Sequence, residues 1–116
     1  MTETKKRVFD LEDRTLRFAV RVRAYLRTRP RNITYGEDYN QLLRASGSVG
    51  ANYIEANESL SPKDFLMRIK ICRKEAKECC YWFKVIGLED ANALALAQEA
   101  YELTSIFGAI VRKVEV

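Results

Sequence analysis

Hydrophobic positions along the chain recur every three to four residues in long runs, so the pattern predicts helices and no sheet. In DLEDRTLRFAVRVRAYLRTRP, residues 10–30, the face Leu11, Thr15, Phe18, Val22, Tyr25 and Leu26 predicts a helix over 10–29. Asp10 is its expected N-cap and Pro30 its stop. A second helix is expected over 37–57, with Tyr39, Leu42, Ser46, Val49, Gly50, Tyr53 and Asn57 on one face and Leu43 and Ile54 beside them. The third, over 62–86, has the clearest start: Ser61 can cap, Pro62 fits the first helical position, and Asp64 completes a capping box. Its core face is Phe65, Ile69, Cys72, Ala76, Cys79 and Phe83, and Gly87 is suited to end it. The fourth, over 89–114, carries Leu96, Ala100, Leu103, Phe107, Ile110 and Val114 at spacings of four and three, which is a bundle seam.

Four amphipathic helices of about 20 residues, each about 30 Å long and joined by short connections, predict one all-α domain over 1–116. The expected architecture is an antiparallel up-down-up-down four-helix bundle. Two helices carry a second apolar strip that one core does not need. On the first helix it is Leu16, Val20 and Ala24, bordered by Arg23 and Arg27, with Arg14, Arg17 and Arg21 as a polar strip alongside. On the third it is Met67, Ile71, Trp82 and Val85, with Glu75 and Glu78 between them.

Composition narrows the chemistry. No apolar run approaches the roughly 20 residues that span a bilayer, and the first ten residues lack a signal-like apolar segment, so a cytoplasmic protein without membrane contact is expected. The three cysteines, Cys72, Cys79 and Cys80, share one helical pattern and form no disulfide framework; they read as small core residues. The net charge of +4 is uneven, because residues 1–31 hold ten Lys and Arg against four Asp and Glu. An anionic partner such as RNA or DNA fits that end of the chain.

The chain contains no histidine, which excludes the usual serine and cysteine triads and the Glu-x-x-His elements of di-iron bundles. Glu55 and Glu58 on the second helix, and Glu75 and Glu78 on the third, read as surface ion-pairing groups, with Glu75 and Glu78 turned towards the second strip. The stretch SGSVGANYIEANES, residues 46–59, has two glycines three apart, but lacks the lysine, spacing and preceding strand of a phosphate loop. Ser46 and Gly50, with Gly47 and Ala51 beside them, read instead as small residues that let another helix come close. Tyr53 and Asn57 read as a buried hydrogen-bond network fixing helix register; the alternative is a polar pocket between helices. No catalytic, metal-binding or cofactor-binding residue is assigned, and no cofactor is expected.

The segments SVGANYIEANE at 48–58, SPKDF at 61–65 and KEAKECCYW at 74–82, preceded by FDLEDRT, closely resemble the four helix bundle proteins also known as 23S rRNA intervening-sequence proteins. The resemblance covers nearly the whole chain, the last helix matching in pattern alone. It implies a short helical bundle, ring-like homopentamers, and no established enzymatic activity. A relative in fold, the accessory variability protein of diversity-generating retroelements, works with a reverse transcriptase and nucleic acid, so a partner of that kind is implied as well. A ring needs two different faces on each protomer, and Leu16, Val20 and Ala24 against Met67, Ile71, Trp82 and Val85 are the expected pair, with Trp82 the expected hot spot. The functional expectation is a non-enzymatic oligomeric module that binds nucleic acid, or an enzyme acting on it, through Lys5, Lys6, Arg7, Arg14, Arg17, Arg21, Arg23 and Arg27. The alternative is a protein-binding scaffold with no nucleic-acid contact.

Overall fold

A computed structural model describes residues 3–30 and 33–115, with side chains described over 11–30 and 36–115. Its four helices, each 25 residues long, are α1 (Glu3–Arg27), α2 (Ile33–Asn57), α3 (Pro62–Ile86) and α4 (Ala91–Glu115). The ends of α3 follow its sequence signals. Ser61 is extended and its hydroxyl accepts the Asp64 N–H at 3.1 Å, while Gly87 turns left-handed at φ 77°. That φ is costly for any residue with a Cβ, and the Gly87 N–H donates to the Phe83 carbonyl.

The other ends differ from expectation. Helix α1 begins at Glu3 rather than Asp10, and α2 at Ile33 rather than residue 37, so that Gly36 lies inside the helix. At the far end of α1, Thr28 and Arg29 donate to Tyr25 and Leu26 in tightened turns before Pro30. Helix α4 starts at Ala91 because Asp90 is its cap: one carboxylate oxygen accepts the Ala93 N–H at 3.0 Å.

The backbones approach from α1 to α2, α2 to α3, α3 to α4 and α4 back to α1, and among the described residues the diagonals are bridged by side chains alone, as by Tyr53 of α2 on Phe107 of α4. Thr15 lies against Gly50, Asn52 bonds Arg68, and Lys70 pairs with Glu115, so chain-adjacent helices run antiparallel. The fold is the expected all-α four-helix bundle. Phe18, Leu42, Val49, Ile69, Leu103 and Phe107 are fully buried at its centre, with Cys72 and Cys79 among them.

The core deviates from the predicted stripes near the bundle ends. In α4 the buried series is Ala93, Leu96, Ala100, Leu103, Phe107 and Val111, while Val114 is exposed and Ile110 half-buried. Two consecutive steps of four follow from the 3.6-residue turn, which drifts about 20° per heptad from a strict seam. Asn57, expected on the core face of α2, and Ile54, expected beside it, are exposed, and Ala45 and Ala56 are buried instead.

At Gly50 α1 comes close to α2. A Cβ there would stand 3.0 Å from Thr15 Oγ1 and 3.2 Å from Thr15 Cβ, and Thr15 is itself buried, its hydroxyl donating to the Leu11 carbonyl. Gly36, also in α2, has nothing within 4 Å of the same position. Gly50→Val is therefore expected to lower unfolding stability by about 1–3 kcal/mol through overpacking. Gly36→Ala is expected to raise it by about 0.5–1 kcal/mol by restricting the unfolded chain. Urea denaturation of both variants checks the ranking, and a Gly50→Val protein as stable as Gly36→Ala refutes the close approach.

Candidate functional site

The arginines of α1 divide by what they touch. Arg14 reaches α4, where its Nε donates to Glu99 at 2.7 Å and its Nη2 to Glu99 at 2.8 Å and Glu102 at 2.9 Å. The Glu99 bond holds this guanidinium more firmly protonated than usual. Arg23 crosses to α2, donating to the Leu43 carbonyl at 3.1 Å and to Ser46 Oγ at 3.3 Å, as well as to the Ala19 carbonyl in its own helix. A Cβ at Gly47 would stand 2.9 Å from Arg23 Nη2, so the glycine makes room for the arginine rather than for a helix backbone. Both Arg14 and Arg23, expected to face an anion, bind the bundle itself. Arg17 pairs with Asp13 at 2.8 Å on the surface, which leaves Arg21 and Arg27 exposed without an ionic partner among the described residues. The side chains of Lys5, Lys6 and Arg7 lie outside the described residues.

Carboxylates are drawn into the helix seams. Arg44 of α2 pairs with Glu75 at 3.1 Å and Glu78 at 3.2 Å on α3. Glu75, expected on the outer strip, is buried. Its position on the α2 side of α3 places it beneath the Arg44 guanidinium rather than in water. Burial raises its pKa, assisted by the hydrogen bond and charge of Glu78 and opposed by Arg44 and Lys74. At the seam of α1 and α4, the Tyr25 hydroxyl donates to the Asp90 carboxylate that caps α4. Burial, then the Asp90 bond and charge, push Tyr25 up to about 12, and the Tyr25 bond lowers Asp90.

This sorting leaves the outer face of α3 and α4 basic. Lys63, Lys70, Lys77 and Lys84 recur every seven residues and all are exposed. Residues seven apart shift by only about 20°, so the four form one stripe about 31 Å long. Lys70 pairs with Glu115 of α4 at 3.5 Å, which fixes the stripe to the α4 side. The remaining three have no ionic partner among the described residues. Over Gly108 of α4, Arg112 Nη1 and Arg73 Cδ come within 3.4 and 3.7 Å of where a Cβ would be, and neither guanidinium meets a carboxylate. The heptad of lysines was open to reading in the chain; that Lys70 alone of the four meets an acid among the described residues depends on which way Glu75, Glu78, Glu99 and Glu102 turn.

The remaining candidates are placed as follows. Ser46 is fully buried and donates to the Leu43 carbonyl. Tyr53 is buried against Phe107, its ring centroid 5.8 Å away, and Asn57, one turn further along α2, donates its amide to Glu12 of α1 at 2.9 Å. Asn57 is exposed because α2 ends there, above the core. Burial raises all three thiols, Cys72 to about 12, which leaves none of them a ready thiolate. On the outer strips, Leu16 and Val20 are 61% and 55% exposed, and Ala24, Met67 and Val85 are exposed too. Ile71 is half-buried; Trp82 is half-buried and packs on the core cluster. Among the described residues no cluster of three His, Cys, Asp or Glu could hold a metal, and no helix is long and apolar enough to cross a membrane.

The sequence model of the 23S rRNA-intervening sequence proteins matches residues 9–104. The chain belongs to that family. A solved structure from Bacteroides thetaiotaomicron VPI-5482, a protein of unknown function from the S23 ribosomal protein family, has the same fold, with a TM-score of 0.76. It is 24% identical, over 90% of this chain and 97% of that one. No curated protein matches the chain. In this member of the 23S rRNA-intervening sequence proteins, the SVGANY and KEAKE segments supply seam residues: Gly50 against Thr15, Asn52 to Arg68, and Glu75 and Glu78 to Arg44.

The Glu75 environment sets a pH dependence. Its folded pKa lies above its unfolded one, so the folded chain binds this proton more tightly and the group's contribution to stability falls as pH rises through that window. Removing Arg44 leaves the buried carboxylate without its cation. Arg44→Ala is expected to cost about 1–3 kcal/mol near pH 7, to cost less near pH 4 where Glu75 is protonated, and to cost little in a Glu75→Gln background. Denaturation of the four proteins at both pH values checks it; an equal penalty in the Glu75→Gln background refutes the coupling.

Proposed function

We propose that this member of the family is a non-enzymatic helical module that binds nucleic acid through a basic surface. The observation that carries the reading is the unbalanced cationic face of α3 and α4: Lys63, Lys77 and Lys84 unpaired, and Arg73 and Arg112 together over Gly108. Free cations in a row match a phosphate backbone, since each neutralised phosphate releases counterions. Of the α1 arginines, Arg21 and Arg27 are available to extend the basic surface, whereas Arg14 and Arg23 are committed to the seams. Anisotropy titrations with labelled RNA and DNA at rising salt test the reading. Lys77→Glu with Lys84→Glu is expected to weaken binding by tenfold or more and to reduce the salt slope by about one for each lost contact. Arg21→Glu with Arg27→Glu is expected to weaken it less. Binding that is absent at low salt, or that ignores the lysine reversals, overturns the proposal.

A second reading has its own observation. Leu16 and Val20 stand in water on the outer face of α1, where the bundle has no use for them. We infer that this strip associates with another copy of the chain, covering apolar surface that a monomer leaves exposed. Trp82 is a weaker choice of hot spot than its residue type suggested, because it already packs on its own core. Light scattering of the 13.4 kDa chain is expected to give a multiple of that mass, and Leu16→Glu with Val20→Glu to return it to the monomer value. A monomeric wild type refutes the association.

A further inference from the structure

We propose that the face between α3 and α4 is a track for single-stranded nucleic acid, on which unpaired bases stack against Tyr81 and Tyr101 while the lysine stripe holds the phosphates. The inference rests on the nucleic-acid reading above and adds the kind of strand.

Two exposed tyrosines would mean little if scattered, since single apolar side chains in water are common. These two are not scattered. Tyr81 is 59% exposed and Tyr101 61%, and they belong to facing helices. Lys70 pairs with Glu115 and Arg73 lies over Gly108 between those antiparallel helices, and counting along both from these pairings puts Tyr81 and Tyr101 within about one turn of each other along the bundle. Lys77 lies one turn before Tyr81 on α3, and Lys84 lies one turn after it. The Tyr81 ring is held by an edge-on contact with Trp82, centroids 5.2 Å apart and planes at 80°, and Trp82 is anchored in turn on the core. A ring held in place and still open to water offers its π-face without further ordering.

The nearest acids are engaged by arginines of other helices: Glu78, one turn before Tyr81, pairs with Arg44 of α2. On α4, Glu99 and Glu102 turn to Arg14 on the far side, and the residues nearest Tyr101 towards α3 are Ala97, Thr104 and Ser105. Farther along the same groove, Arg73 and Arg112 meet over Gly108. Phosphate contacts and stacking surfaces therefore alternate along one line, which is the pattern that sequence-tolerant single-strand binders use. A duplex hides its base faces, so it can engage the cations and not the rings.

Anisotropy titrations with labelled oligo-dT and oligo-U of about 12 nucleotides, and a duplex of equal length, test the proposal on the full chain. Both single strands are expected to bind about tenfold or more tighter than the duplex. Tyr81→Ala with Tyr101→Ala is expected to remove that preference while leaving duplex affinity and the salt slope unchanged; Tyr81→Phe with Tyr101→Phe is expected to keep it. Circular dichroism confirms that the surface variants stay helical. Equal binding of single strand and duplex, or a preference that survives both alanines, overturns the stacking track and leaves the nucleic-acid reading standing. Failure of every oligonucleotide to bind at low salt overturns both.

Discussion

The Arg14 fork onto Glu99 and Glu102 is the contact that the rest of the arrangement leans on. Helices α2 and α3, and α3 and α4, pack along most of their length, whereas α1 meets α4 more sparsely. That seam is closed by charge and hydrogen bonding as much as by apolar burial: the fork at mid-length, and Tyr25 on the Asp90 cap at one end. A bidentate guanidinium is stronger and more directional than a lysine contact, so it can set register where the core alone leaves it loose. Arg44 does the corresponding work between α2 and α3, and its partner Glu75 is buried enough that the cation is required.

Closing the seams this way has an electrostatic consequence. Arg14 and Arg44, crossing between helices, each take two glutamates with them. The carboxylates of α3 and α4 that could have balanced the lysines are thereby turned towards α2 and α1. What remains on the outer face of α3 and α4 is a row of cations with Glu115 as its one salt-bridged acid among the described residues. A modest net charge of +4 thus becomes a strongly one-sided surface. The same sorting moves the best-supported anion surface away from the first helix, where the basic residues are densest in the chain.

Much of the fold was legible because it depends on periodicity and on local capping. The core faces around Phe18, Leu42, Ile69 and Leu103, and the Ser61 and Gly87 boundaries, follow from rules acting within one helix. The departures sit where a second helix decides. Glu75 looked like a surface acid until Arg44 arrived from α2; Gly47 looked like a packing position until Arg23 filled the space above it; Asn57 looked buried until α2 ended over it. The candidate site was legible only in part for the same reason. Counting charges locates basic residues, but their partners stand tens of residues away, 85 positions in the case of Arg14 and Glu99.

The amino-acid sequence by itself determined four amphipathic helices, their antiparallel order through short joints, and the membership in a family that its central motifs announce. Those properties are local or additive, and side-chain periodicity carries them. The tertiary structure alone decided which arginines are spent on holding the bundle and which lysines are left to solvent. Such outcomes depend on the azimuth of one helix relative to its neighbour, and a rotation of a few tens of degrees would exchange a seam residue for a surface one.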